Sequence, residues 1–81
     1  MNREEIVEKL IGYFKAAFRY EGEDLTADTK VTDTFGTNSM KRIAVCAMIE
    51  DELEVTIPAS KFAEYETIGD FADKILAESE E

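Results

Sequence analysis

Residues 35–58, FGTNSMKRIAVCAMIEDELEVTIP, contain a glycine turn, a polar helix cap, an apolar helical pattern and a closing proline. Gly36 tolerates a positive φ at little cost, which allows a sharp turn. Asn38 can accept a hydrogen bond from the first helical turn, so we take it as the N-cap and Ser39 as the first helical residue. The pattern therefore predicts a central helix from Ser39 to about Glu54, which must end before the proline.

The same stretch resembles the central segment of acyl carrier proteins and peptidyl carrier domains. In that family a Gly-x-Asp-Ser-Leu/Met turn opens the second helix, and an acidic helix end leads into an Ile-Pro pair. Here residues 36–40 read GTNSM, and residues 50–58 read EDELEVTIP. The resemblance implies that Ser39 carries a covalent 4′-phosphopantetheine arm, with Asn38 and Met40 beside it. A hydroxyl at this position lies near the positive end of the helix dipole, where a phosphate is stabilised.

The resemblance also implies a function. In the family, a phosphopantetheinyl transferase moves the arm from coenzyme A to the serine, and the arm then holds an acyl group as a thioester. We therefore expect a discrete, non-enzymatic acyl carrier protein in fatty-acid, polyketide or related biosynthesis. Residues 57–62, IPASKF, are similar to D-alanyl and peptidyl carriers, so an aminoacyl cargo stays open. The alternative is a carrier-shaped helical interaction module that is not modified.

Two features depart from the family pattern. Asn38 stands where the family usually has aspartate, which keeps a helix cap but removes a negative charge. Lys41 and Arg42 stand where the family more often has acidic or neutral residues, and they oppose the helix dipole. We interpret both as solvated charges, and the alternative is contact with the arm's phosphate or an acidic patch on a partner. These charges favour a dedicated secondary pathway over general fatty-acid synthesis.

Partner enzymes are expected to dock along the central helix. Apolar side chains continue the flank that starts at Ser39, and an exposed apolar flank is a common partner footprint. Acidic side chains at the far end suit acyl-loading and acyl-processing enzymes that have basic docking patches. The predicted partner-binding residues are Met40, Lys41, Arg42, Ile43, Ala47, Glu50 and Asp51.

Composition narrows the function classes. The 81 residues include 19 acidic and 9 basic residues, no histidine and one cysteine, with a formal net charge of −10. This charge argues against nucleic-acid binding. Without histidine a Ser-His-Asp triad is excluded, and a lone cysteine provides neither a disulfide nor a metal site. We expect one monomeric carrier domain, residues 1–81. We also expect it to be cytoplasmic, because no apolar run suits a signal peptide or membrane insertion.

The flanking segments predict the remaining helices. Apolar residues at spacings of three and four predict a first helix from Asn2 to about Tyr20, in which Gly12 marks close packing against a neighbour. A short helix or turn follows the proline at 59–65, and a capping box at 67–70 opens the last helix. The fold class is therefore an all-α, acyl-carrier-protein-like four-helix bundle, with three longer helices and one short one.

A long loop at 22–38 connects the first two longer helices. Leu25, Val31 and Phe35 are spaced as apolar anchors, while the intervening Asp and Thr residues favour turns over regular structure. The loop is acidic, so a calcium sensor is the third alternative. It lacks the D-x-[DN]-x-[DN]-G order of a calcium-binding loop, so no calcium effect is expected.

Overall fold

The computed structural model describes residues 2–22 and 24–79, and this part of the chain contains five helices. They are α1 (Arg3–Phe18), α2 (Val31–Phe35), α3 (Ser39–Leu53), the 3₁₀ helix η1 (Ala59–Glu64) and α4 (Ile68–Ser79). Helix α1 packs against both α3 and α4, and η1 packs against α3. The predicted all-α bundle is confirmed, with one more short helix than expected. None of the described helices has the length and apolarity that crossing a bilayer requires.

Helix α1 begins as predicted. The Asn2 side-chain oxygen accepts a hydrogen bond from the backbone N–H of Glu5 at 2.9 Å. The helix buries one apolar stripe, formed by Ile6, Val7, Leu10 and Phe14. The predicted close packing at Gly12 is wrong, since a Cβ added there would meet no atom within 4 Å. Gly12 lies two positions from the buried stripe on either side, which turns it to solvent.

The long loop is not irregular throughout, because it contains α2. The expectation that its Asp and Thr residues favour turns over regular structure is wrong for residues 31–35. Val31 is fully buried and Phe35 packs partly against the core, and their i, i+4 spacing places both on one side of a single helical turn. The Val31 N–H donates to the carbonyl oxygen of Glu66 at 2.9 Å. Tertiary contacts thus stabilise a helix that its residues would not form alone.

Aromatic rings fill the core beneath the turn that leads into α3. Phe14 lies at the centre, with its ring centroid 5.0 Å from Phe35, 6.0 Å from Phe62 and 5.6 Å from Phe71. Stacked and edge-to-face pairs at these distances add to the free energy gained by burial alone. Phe35 directly precedes Gly36 in the chain, so its packing in this cluster fixes the position at which the turn begins.

Helix α4 begins with the predicted capping box. The Thr67 hydroxyl accepts from the Asp70 N–H at 3.1 Å, and the Asp70 carboxylate accepts from the Thr67 N–H at 3.0 Å. The helix then buries Ile68, Phe71 and further apolar residues against α1. Each of the three longer helices is therefore amphipathic and packs its apolar side into one shared core.

Candidate functional site at the start of helix α3

The chain turns sharply at Gly36 to reach α3. Gly36 has φ 85° and ψ −163°, a conformation that is essentially restricted to glycine. Its N–H donates to the Thr32 carbonyl oxygen at 2.9 Å, which ends α2. The predicted positive φ is confirmed, and it directs the next two residues away from α2 toward the start of α3.

Asn38 caps α3 as predicted. Its side-chain oxygen accepts from the Lys41 N–H at 3.1 Å, and its carbonyl oxygen accepts from the Arg42 N–H at 3.1 Å. The Asn38 side chain therefore provides an acceptor for the third backbone amide of the helix, and its carbonyl oxygen accepts the first regular helical hydrogen bond. The replacement of the family's aspartate by asparagine leaves the capping geometry intact.

Ser39 is the first residue of α3 and its side chain is exposed. In the described part of the chain, no oxygen accepts the N–H of Ser39 or of Met40. Two free amides at the positive end of a helix dipole form a place where a phosphate is stabilised. The first turn of α3 also contains no acidic residue that would repel it. An exposed hydroxyl in this setting fits a phosphodiester-linked arm.

An apolar strip runs along the outside of α3 from Ser39. Met40 is 81% exposed and Ile43 is 54% exposed, and they are the large hydrophobic residues that the described part of the chain leaves exposed. Ala47 follows at the next turn and is also exposed. We call Met40, Ile43 and Ala47 the outer strip of α3. An exposed apolar strip beside a modifiable hydroxyl is suited to contact another protein.

Acidic side chains continue the outer strip at the far end of α3. Glu50 lies one turn beyond Ala47, and Asp51 lies beside it, both exposed. Glu52 is exposed as well, and its negative charge, after burial as the main cause, raises the pKa of Tyr13 on α1. The two predicted docking acids are therefore exposed at the far end of α3.

Lys41 and Arg42 differ in their surroundings. Lys41 is half-buried, and its side chain makes no ion pair with the described residues. The Arg42 guanidinium instead turns inward and lies 4.8 Å from the centroid of the Phe62 ring. The interpretation of the Arg42 charge as solvated is therefore wrong, because its Nε is buried and its guanidinium covers an aromatic ring. The contact of Arg42 with partners stays a prediction. Its side chain is occupied by contacts within the domain.

The helical spacing contained a signal for this inward position. The buried side of α3 is formed by Val45, Cys46, Ile49 and Leu53. Arg42 precedes Val45 by three positions and Cys46 by four, so it extends that buried side toward the start of the helix. The charge of Arg42 indicates a solvated position and its helical spacing a buried one, and the structure agrees with the spacing. The partners of the guanidinium on η1, α2 and the Gly36 turn could not be read from the sequence.

Cys46 has a structural role in this site. Its side chain is buried on the core side of α3, and burial raises the pKa of its thiol. A buried thiol that stays protonated is a poor nucleophile, so Cys46 does not compete with an exposed group at the helix start. Among the described residues, no cluster of Cys, Asp or Glu could hold a metal ion.

Comparison with known families agrees with this geometry. The family model described as "Phosphopantetheine attachment site" matches residues 8–75, which include the whole of the site at the start of α3. No curated protein matches the chain significantly.

Proposed function

The chain belongs to the phosphopantetheine attachment family, whose members are non-catalytic carriers with covalently attached 4′-phosphopantetheine, and we propose that Ser39 is the attachment residue. The exposed hydroxyl at the first position of α3 carries this proposal, and it lies beside two backbone amides for which the described residues provide no acceptor. When attached, the arm supplies a terminal thiol that holds an acyl or aminoacyl group as a thioester.

Ser39 acts as a substrate in this proposal. A serine hydroxyl is a weak nucleophile at neutral pH unless a base removes its proton, and the chain contains no histidine. The proton therefore goes to a base supplied by a phosphopantetheinyl transferase. Helix α3 contributes by fixing the hydroxyl in an exposed position. The free amides of Ser39 and Met40 then favour the phosphate that becomes linked there.

The outer strip of α3 is proposed to dock the partner enzymes. Met40, Ile43 and Ala47 supply apolar contact beside the attachment serine. Glu50 and Asp51 supply exposed negative charge at the far end, which suits the transferase and acyl-loading or acyl-processing enzymes with basic patches. Lys41 interrupts this acidic character close to Ser39. That interruption supports a dedicated partner with an acidic group near the serine.

The same features support a proposal for the domain organisation, location and cargo of the carrier. Residues 1–81 are proposed to act as one discrete, monomeric carrier domain in the cytoplasm. Its cargo is an acyl or aminoacyl group in fatty-acid, polyketide or nonribosomal-peptide-type biosynthesis. The lysine beside the attachment turn supports a dedicated pathway over general fatty-acid synthesis, because a general carrier must suit many basic partners.

Intact-protein mass spectrometry tests the attachment residue. The protein is incubated with coenzyme A, Mg²⁺ and a broad-specificity phosphopantetheinyl transferase. We expect the mass of one phosphopantetheine to be added to the wild type and to Ser60→Ala, a control for another exposed serine, and nothing to be added to Ser39→Ala. A gain in Ser39→Ala would assign the arm to a different residue. No gain with several transferases would favour the unmodified interaction module.

Charge reversal tests the docking surface. The double variant Glu50→Lys/Asp51→Lys is expected to raise KM for loading several-fold with little change in kcat, since steering and docking are weakened. Glu8→Lys/Glu21→Lys makes the same change in net charge at exposed positions away from α3 and is expected to load normally. Equal KM values for the two double variants would show that net charge, rather than the end of α3, attracts the transferase.

A further inference from the structure

The side chain of Arg42 connects three elements around the attachment turn. Its guanidinium covers the Phe62 ring of η1 at 4.8 Å. Its Nη2 donates to the carbonyl oxygen of Gly36 at 3.3 Å and to the hydroxyl of Thr32 on α2 at 3.2 Å. One side chain, three residues beyond Ser39, thus ties α3 to η1, to α2 and to the turn between them.

These contacts use properties that only arginine combines. A planar guanidinium can lie flat on an aromatic ring while its edge donates several hydrogen bonds in fixed directions, whereas a lysine ammonium is a single, strongly hydrated point charge. The Arg42 Nε is buried and has no hydrogen-bond partner in the described part of the chain. A buried donor without a partner is unfavourable. The arrangement is therefore poorly explained as a source of stability alone.

The elements that Arg42 connects are weakly held by local structure. Helix α2 has only five residues, VTDTF, and its N-cap residue Lys30 makes no side-chain capping bond. Three of these residues are β-branched, which lowers the tendency to form a helix. At Gly36, the N–H bonds to the Thr32 carbonyl and the C=O bonds to Arg42, so both sides of this residue are fixed. Without Arg42, the carbonyl of the turn loses the only partner that the described residues give it.

We propose that Arg42 is a positioning residue for the loading of Ser39. It holds α2 and the Gly36 turn against the start of α3, so that the hydroxyl of Ser39 and its surroundings are presented to the transferase in one geometry. The inference rests on the proposed attachment at Ser39, and it assigns to Arg42 a role through the turn and not through contact with the arm. The occupied donors and the ring contact of the guanidinium support that choice.

Amide hydrogen exchange and loading kinetics test the proposal together. Arg42→Met keeps the length and apolar stem of the side chain but removes all donors. The exchange rate of the Gly36 N–H is expected to rise about three- to tenfold, the effect of losing one hydrogen bond. The kcat for loading is expected to fall by a similar factor with little change in KM. Thr32→Val removes one bond of the network and is expected to give a smaller change of the same kind.

Three further variants separate positioning from general stability. Lys9→Met removes an exposed charge on α1, outside the docking surface, and is expected to leave both Gly36 exchange and loading kcat unchanged. Arg42→Lys keeps the charge but is expected to behave like Arg42→Met. Adding Gly12→Ala to Arg42→Met raises global stability at a distant exposed site, and it is expected not to restore loading.

Each outcome decides between the alternatives. Unchanged Gly36 exchange and unchanged kcat in a folded Arg42→Met variant would overturn the proposal, as would full rescue by Gly12→Ala. If Arg42→Met fails to fold, wild-type values in Thr32→Val and Arg42→Lys would overturn it. Failure of the wild type to be loaded would contradict the proposed function instead, and the exchange rates would still show whether Arg42 holds the turn.

Discussion

Helices α3 and α4 both begin with a side-chain N-cap, but the backbone amides and charges of their first turns differ. At α4, Thr67 is the N-cap and Asp70 is the third helical residue. The Asp70 carboxylate accepts hydrogen bonds from the N–H groups of Glu66 and Thr67 at 3.1 and 3.0 Å. The N–H groups of Ile68 and Gly69, the first two of α4, donate to the carbonyl oxygens of Thr29 and Ala27 at 3.1 and 2.7 Å. The positive end of α4 is therefore closed by loop carbonyls, and Asp70 adds a negative charge.

At α3, Asn38 is the N-cap and Lys41 occupies the position that corresponds to Asp70. The cap bonds one amide, and the first turn contains no acid. The described residues provide no acceptor for the amides of Ser39 and Met40, so the start of α3 remains open beside an exposed hydroxyl. Loop carbonyls and an acid at the third helical position close the start of α4, whereas the described residues supply neither at α3, which leaves room for a bound anion.

The turn before α3 contains a residue with positive φ, Gly36, whereas residues 65–67 before α4 contain none. The largest expected effect comes from replacing this glycine. Gly36→Ala forces a Cβ residue into φ 85°, ψ −163°, which is expected to lower the free energy of unfolding by about 1–3 kcal/mol. The added Cβ meets no atom within 4 Å, so the loss reflects backbone strain alone. Urea denaturation followed by circular dichroism measures it.

Gly12→Ala is the matched control for the substitution at Gly36. It places the same methyl group at an exposed position inside α1, and it is expected to raise the free energy of unfolding by about 0.5–1 kcal/mol. Opposite signs for the two alanine substitutions support the assigned roles. Equal small effects would mean that the turn before α3 does not require its glycine.

An intermediate effect is expected from removing each cap. Asp70→Ala is expected to lower the free energy of unfolding by about 1–2 kcal/mol, and Asn38→Ala by about 1 kcal/mol. Loading of Ser39 should separate them, because only Asn38 positions the start of α3. Mass spectrometry over time should show wild-type loading in Asp70→Ala and slower loading in Asn38→Ala. Equal loading in both variants would contradict a functional difference between the two helix starts.

The sequence predicted those parts of the site that depend on neighbouring residues. The cap at Asn38, the positive φ at Gly36 and the first residue of α3 follow from backbone hydrogen bonding within a few positions. Local rules also predicted the capping box of α4. Each of these features depends on residues that are close together along the chain.

The sequence did not predict the features that depend on distant contacts. Helix α2 forms because Val31 and Phe35 meet the core and because the Val31 N–H finds the carbonyl of Glu66. Arg42 turns inward because Phe62, twenty residues later, offers a ring face at the right place. Both are tertiary effects that outweigh propensity and charge, so local patterns could not reveal them.

The smallest effect is expected from Lys41→Glu, which gives α3 the acid that α4 already has at the third helical position. A glutamate at the third helical position can reach back to the N–H of Asn38, and it replaces a charge that opposes the helix dipole. We expect the free energy of unfolding to rise by about 0.3–1 kcal/mol at low salt, and the gain to shrink in about 1 M salt as the charges are screened. Lys41→Gln, which removes the opposing charge without adding an acid, should give part of the gain. Urea denaturation at two salt concentrations measures all three proteins. A gain that is absent at low salt, or that is the same at high salt, would show that the open start of α3 is not a matter of charge at position 41.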